Sequence, residues 1–280
     1  MARKKVEVKT EDKVNTILPT RHRLKCKNHK QKEFSHLITE KEIIFATGPA
    51  GVGKSYVAIA RAIELLQNTS NQYKKIILIN PAVEADEKLG FIPGSVREKL
   101  DPYVGSSIDI IDKIVGASNR IKMEEEGILN VGALGFIRGK TIDNAILVME
   151  EAQNMSPIQM KTLLTRIGHS TKFIISGDLD QSDRYNNFKQ SGLYDAVQKH
   201  KNIKEFGFIE FDTVDIVRNP LITLILDNYN NKGNGVNMDK VIATQHMKPR
   251  LISEGGNKKK KKKSKLFRKI KIWIKKNFKW

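Results

Sequence analysis

Short apolar runs of strand length alternate along this chain with stretches of helical period. Residues 42–46 (EIIFA), 75–80 (KIILIN), 145–149 (AILVM), 172–176 (KFIIS) and 206–211 (FGFIEF) are the runs. Each is too short for a helix and carries the β-branched and aromatic residues that suit a strand. Between them, residues 54–67 (KSYVAIARAIELLQ) and 156–168 (SPIQMKTLLTRIG) place apolar side chains at helical spacing. Ser156 and Pro157 suit the cap and the first position of the second helix. Near-continuous apolar strands alternating with helices predict a mostly parallel sheet covered by helices on both faces, a three-layer α/β/α fold. Residues 81–104 mix helix and loop signals, Gly255-Gly256 closes the body, and no internal repeat is present.

The turn after the first run carries chemistry. Residues 48–55 read GPAGVGKS, which fits G-x-x-x-x-G-K-[ST] and lies between a predicted strand and a predicted helix. Gly48, Pro49, Ala50, Gly51, Val52 and Gly53 would let backbone N–H groups turn inward around a polyphosphate, at a helix N-terminus that adds partial positive charge. Lys54 would reach the β- and γ-phosphates, and the Ser55 hydroxyl would ligate Mg²⁺. Tyr56 follows directly and belongs to the same cradle. No N-K-x-D guanine-reading signature occurs, which favours ATP.

In such a protein a second strand delivers acid to the magnesium. The run at 145–149 ends in Glu150 and Glu151, with Gln153 two residues on. The first carboxylate would hold the metal and the second would polarise the attacking water. The run at 172–176 ends in Gly177-Asp178, with Gln181 three residues later, which puts polar side chains at the γ-phosphate edge.

These stretches, with NPAVEADEKLGFIPGSVREKLDPY over 80–103, together resemble the PhoH-like ATPases, phosphate-starvation-type P-loop proteins of bacteria and tailed phages. The resemblance covers about residues 31–231. It implies a RecA-like fold similar to the motor core of superfamily 1 helicases, ATP hydrolysis, single-stranded RNA as substrate, and homo-oligomeric rings such as hexamers. It also implies that Gln31 reads adenine, because a side-chain amide can accept from N6 and donate to N7. By the same resemblance Arg218 stabilises charge on the transferring phosphoryl group, with Arg166 a second candidate and action in cis or in trans open. Two positions depart from the family pattern: Glu150 replaces an aspartate, and Asn80-Pro81 replaces Arg-Pro. A translocating helicase needs two motor cores and one is visible, so helicase action would require subunits that sandwich ATP.

Charge divides the chain into three. Of the net +19, residues 1–30 carry ten Lys/Arg against three Asp/Glu, and residues 257–280 carry thirteen Lys/Arg and no acid. Residues 31–256 are therefore close to neutral and are expected to form the ATPase domain, with 1–30 as a mobile basic arm. In the tail, Leu266, Phe267, Ile270, Trp273, Ile274, Phe278 and Trp280 fall within an arc of about 160° on a helical wheel, opposite a lysine-rich face. Such a helix could track nucleic-acid phosphate, lie on an anionic membrane through residues 264–280, or dock in a protein groove. Three function classes follow: an RNA-coupled ATPase, an ATP-loaded RNA-binding switch that barely hydrolyses, and a membrane-associated regulator. The single cysteine, Cys26, excludes an intrachain disulfide or a cysteine-rich metal site. With no secretory signal and no apolar run of spanning length, the expected location is the cytoplasm, that of the host if a phage encodes the chain.

Overall fold

Six strands form one sheet in the order β3-β2-β4-β5-β1-β6, every pairing parallel. The computed structural model describes residues 10–18, 20–68, 73–81, 96–182, 184–185, 187–217 and 221. All of these belong to the first of two units into which the chain divides, Met1–Asn231 and Lys232–Trp280. The strands are β1 (Ile43–Thr47), β2 (Lys75–Ile79), β3 (Leu129–Gly132), β4 (Ala145–Met149), β5 (Lys172–Gly177) and β6 (Phe206–Glu210). The helices are α1 (Thr10–Ile17), α2 (His29–Glu40), α3 (Lys54–Gln67), α4 (Val96–Val115), α5 (Ala117–Glu125), α6 (Pro157–Leu164) and α7 (Gly192–His200). This is the three-layer α/β/α fold that the pattern predicts.

The period of two along each strand sorts the core into two halves. Ile44, Ala46, Ile76, Leu78, Ile146, Val148 and Ile174 pack with apolar residues of α1 to α5. Their neighbours Ile43, Phe45, Leu147, Met149, Phe173 and Ile175 pack with α6 and α7. Burial on both faces explains why β4 and β5 are buried along their whole length. Each fully buried Ile or Phe contributes about 1.5–3 kcal/mol relative to exposure. The β3 edge strand is not among the predicted runs. With Asn130 and Gly132 in four residues it has little apolar signal, and it is a strand because β2 pairs with it.

Residues 10–28 also differ from the expected mobile arm. Val14, Ile17 and Leu18 are buried in the core half that holds α3. The Gln67 amide donates to the carbonyl of Thr20 at 2.9 Å, and its oxygen accepts from His22 N–H at 3.0 Å. Three apolar side chains at helical spacing hold the segment, while Arg21, Arg23, Lys25 and Lys27 stay exposed. No helix among the described residues is long and apolar enough to cross a membrane. The basic tail, its boundary at residue 256 and the segment 84–94 (EADEKLGFIPG) lie outside the described residues.

Candidate functional site

The β4, β5 and β1 strands are neighbours, so their carboxyl ends open side by side, where parallel sheets bind ligands. A cleft of about 610 Å³ lies there. The turn from β1 to α3 forms its floor. Gly51 and Gly53 have φ of 91° and 90°, and Gly48 has φ of 131°, a region that side chains rarely adopt. At Gly48 a Cβ would also come within 2.4 Å of the Phe211 carbonyl oxygen, so the residue that follows β6 closes against the loop. Gly53 caps α3 without a side chain, so the first N–H groups of the helix receive no side-chain acceptor. The Lys54 ammonium folds over its own loop, donating to the carbonyls of Gly48 at 2.6 Å and Pro49 at 2.9 Å. Ala50, Ser55 and Tyr56 line the cleft, whereas Val52 is buried beneath it.

Glu150 and Asp178 are the buried acids of the cleft, each 8% exposed. Burial pushes the Glu150 carboxyl above the usual range, hydrogen bonds from the Ser107 and Ser55 hydroxyls pull it down, and the Glu151 charge raises it again. The Asp178 carboxyl is likewise raised, first by burial, with the Asp180 N–H and Lys54 acting against that. Glu150 Oε1 and Asp178 Oδ2 make no hydrogen bond of full geometry within the protein. Two buried carboxyl oxygens short of a full hydrogen bond, beside a serine hydroxyl, fit a cation. Among the described residues no cluster of three or more His, Cys, Asp or Glu could hold a metal alone. The donor set therefore fits a magnesium ion shared with phosphate oxygens, as that ion prefers. Glu151 is exposed, adopts φ of 53°, and accepts from Gln153 Nε2 at 2.6 Å.

Gln31 is buried at the third position of α2, directly under the loop. Its Nε2 donates to the Val52 carbonyl at 2.8 Å, and its Oε1 accepts from Lys27 N–H at 2.7 Å. A Cβ on Gly53 would lie 2.7 Å from that Nε2, so the glycine also makes room for the amide.

A family model described as "PhoH-like protein" matches residues 23–230. The chain belongs to the PhoH-like family. The match encloses the cleft and begins ahead of α2, so the PhoH-like domain includes the segment that carries Lys27 and Asn28. A PhoH-like protein of Bacillus subtilis is 41% identical over 206 residues, 74% of this chain and 64% of the relative. The PhoH-like protein of Synechocystis is 35% identical over 211 residues, covering 75% and 63%. Protein PhoH of Escherichia coli K12 is 35% identical over 206 residues, covering 73% and 57%. The chain thus spans about three-fifths of the length of the curated relatives it matches. Among solved structures, Bacteroides Pif1 bound to single-stranded DNA is similar at a TM-score of 0.35 and 17% identity, covering 83% of this chain and 52% of that one. The Pif1 helicase of Candida albicans gives 0.39 and 13%, covering 92% and 56%. These likenesses carry no functional weight.

The PhoH-like fold brings Gln31, Ala50, Gly51, Gly53, Lys54, Ser55, Tyr56, Glu150, Glu151, Asp178 and Gln181 to one cleft, with Gly48, Pro49 and Val52 in the loop beneath. Arg218 lies outside the described residues. Arg166 does not join the site of its own chain. Its carbonyl accepts from Ile142 N–H at 2.8 Å, at the opposite end of β4 from Glu150. The strand between them spans about 16 Å. Asn80, where the family pattern has arginine, is buried and donates to the Tyr103 carbonyl at 2.8 Å. Sequence reasoning missed Lys27, Ser107 and Lys113, and it noted Gln153 without giving it a role. The first three come from segments distant along the chain, and only Gln153, beside the glutamates, had a local signal.

Proposed function

We propose that this PhoH-like chain binds Mg·ATP, hydrolyses it, and couples turnover to binding or remodelling of single-stranded RNA within a homo-oligomeric ring. The observation that carries the nucleotide reading is the pair of buried carboxyls, Glu150 and Asp178, each with one oxygen that lacks a hydrogen bond of full geometry, beside Lys54 and Ser55 in one cleft. Lys54 and the loop N–H groups hold the phosphates. Ser55 and Glu150 are the residues that would hold magnesium, which when bound would neutralise charge on the β- and γ-oxygens. Glu151, exposed at the mouth, takes the proton of the attacking water. Asp178 and Gln181 stand at the γ-phosphate edge, and Arg218 completes the charge clamp.

The Gln31 amide supports adenine. Two backbone partners fix which end is oxygen and which nitrogen, leaving one acceptor site and one donor. That pair matches N6 and N7 of adenine, whereas guanine offers two acceptors there.

The test is steady-state ATP hydrolysis with and without single-stranded RNA, repeated across protein dilution. Expected are RNA stimulation, a specific activity that falls as subunits dissociate, and a Glu151→Gln variant that still binds ATP but loses at least ~100-fold in turnover. A wild-type rate no higher than that of Lys54→Ala would leave an ATP-loaded switch, and loss of ATP binding in Glu151→Gln would reverse the roles of the two glutamates.

A further inference from the structure

Gln153 is 1% exposed, and its amide is used at both ends. Nε2 donates to Glu151 Oε2 at 2.6 Å and, more weakly, to the Gln181 carbonyl at 3.3 Å. Oε1 accepts from Asp178 N–H at 3.0 Å. The amide cannot be reversed: the Asp178 N–H needs an acceptor, and the Glu151 carboxylate needs a donor. One side chain therefore ties the acid that follows β4 to both ends of the turn that follows β5.

The surroundings are shaped around this bridge. Gly177, the last residue of β5, would carry a Cβ only 2.6 Å from Gln153 Oε1 and 3.0 Å from its backbone nitrogen, so no larger residue fits while the amide stays in place. Glu151 holds a left-handed backbone conformation, unusual outside glycine, and its carboxylate is exposed. Without a partner such a side chain would sample several rotamers. The Gln153 contact selects one, turned toward Gln181.

We infer that Gln153 is a positioning residue, which holds the Glu151 carboxylate in register with the Asp178–Gln181 turn so that acid and turn move as one unit. A general base displaced by about 1 Å loses about two orders of magnitude in rate. Its loss also lets the turn at the γ-phosphate edge relax independently, so the protein discriminates less well between nucleotides with and without that phosphate. The first consequence rests on the ATPase reading above, and the second does not.

The test uses the full chain with Gln153→Glu and Gln153→Met. The glutamate keeps the acceptor for Asp178 N–H but removes both donors and sets a second carboxylate against Glu151. The methionine fills the space and removes all three bonds. Thermal melting, kcat and KM for ATP, and affinities for a fluorescent non-hydrolysable ATP analogue and for fluorescent ADP are measured for each folded variant. Expected are a kcat lowered about 100-fold with KM within about threefold, and an ATP-analogue to ADP affinity ratio reduced at least about fivefold. In a Glu151→Gln background Gln153→Met should have little further effect on kcat, because both act through one group. An unchanged kcat, or a kcat loss matched by equal weakening of both nucleotides, would overturn the inference and leave Gln153 as packing. If the wild type shows no turnover, the ATPase reading fails while the affinity ratio still decides the role of Gln153.

Discussion

Glu150 occupies a position where one methylene matters. The family pattern has aspartate there, and the longer side chain reaches the Ser107 hydroxyl of α4 as well as Ser55. An aspartate would draw its carboxylate back by about 1.5 Å, close to one bond length. It would leave Ser107 without its buried acceptor, at a cost of about 1–3 kcal/mol. Glu150→Asp should therefore destabilise the chain, and Ser107→Ala should remove most of that penalty. Urea unfolding of the two single variants and the double variant measures a coupling of about 0.5–3 kcal/mol. Strict additivity would mean that the two residues do not depend on each other. Residue identity alone marked Glu150 as a cation ligand candidate. Its dependence on a serine 43 positions away was not legible, because nothing in local spacing says which helix crosses the strand end.

Between elements, the start of β5 meets the end of α2. Lys172 is buried, and its ammonium donates to the carbonyl of Lys41, the C-terminal cap of the helix. Burial lowers its pKa from 10.5 to about 8, with Glu42 and Glu40 acting against that. Between pH 8 and 10.5 the unfolded chain binds the proton more readily than the folded one. Stability contributed by this group therefore rises with pH through that window, and its burial costs most below pH 8. The difference in melting temperature between wild type and Lys172→Met should shrink or reverse from pH 7.5 to pH 10. A constant difference would place the ammonium in solvent. Five of the strands and the helices α3 and α6 were marked in the sequence, whereas α2, α5 and α7 were not. Ser156 caps α6 in a reciprocal box with Gln159, and Pro157 occupies its first turn, as the local pattern predicts. β3 and α1 were not marked, because a short edge strand and an eight-residue polar helix take their stability from the surfaces they meet.

At the scale of the whole molecule, the two ends hold most of the positive charge, and the domain between them is nearly neutral. If RNA is the partner, the thirteen basic residues of 257–280 should supply much of the phosphate contact. Single-stranded binding loses about 0.7 in the logarithmic salt slope for each contact removed. Truncation at Gly256 should flatten the salt dependence of RNA affinity by several such steps, measured by fluorescence anisotropy from 50 to 300 mM salt. Equal slopes for full-length and truncated chains would assign the tail elsewhere, and flotation with anionic liposomes would then distinguish the membrane reading.

What the sequence determined by itself is the part of the site that is local in the chain. The glycine turn, the acids at strand ends and the parallel α/β class follow from backbone geometry and period over a few residues. Tertiary structure alone decided which separate segments share the cleft. It put Gln31 under Val52, 21 residues on, and Gln153 against Asp178, 25 residues on. It also sent Arg166 to the far end of β4, because α6 runs back along the strand that precedes it. Strand order and register set those distances, and both are properties of the assembled sheet, not of any window of sequence.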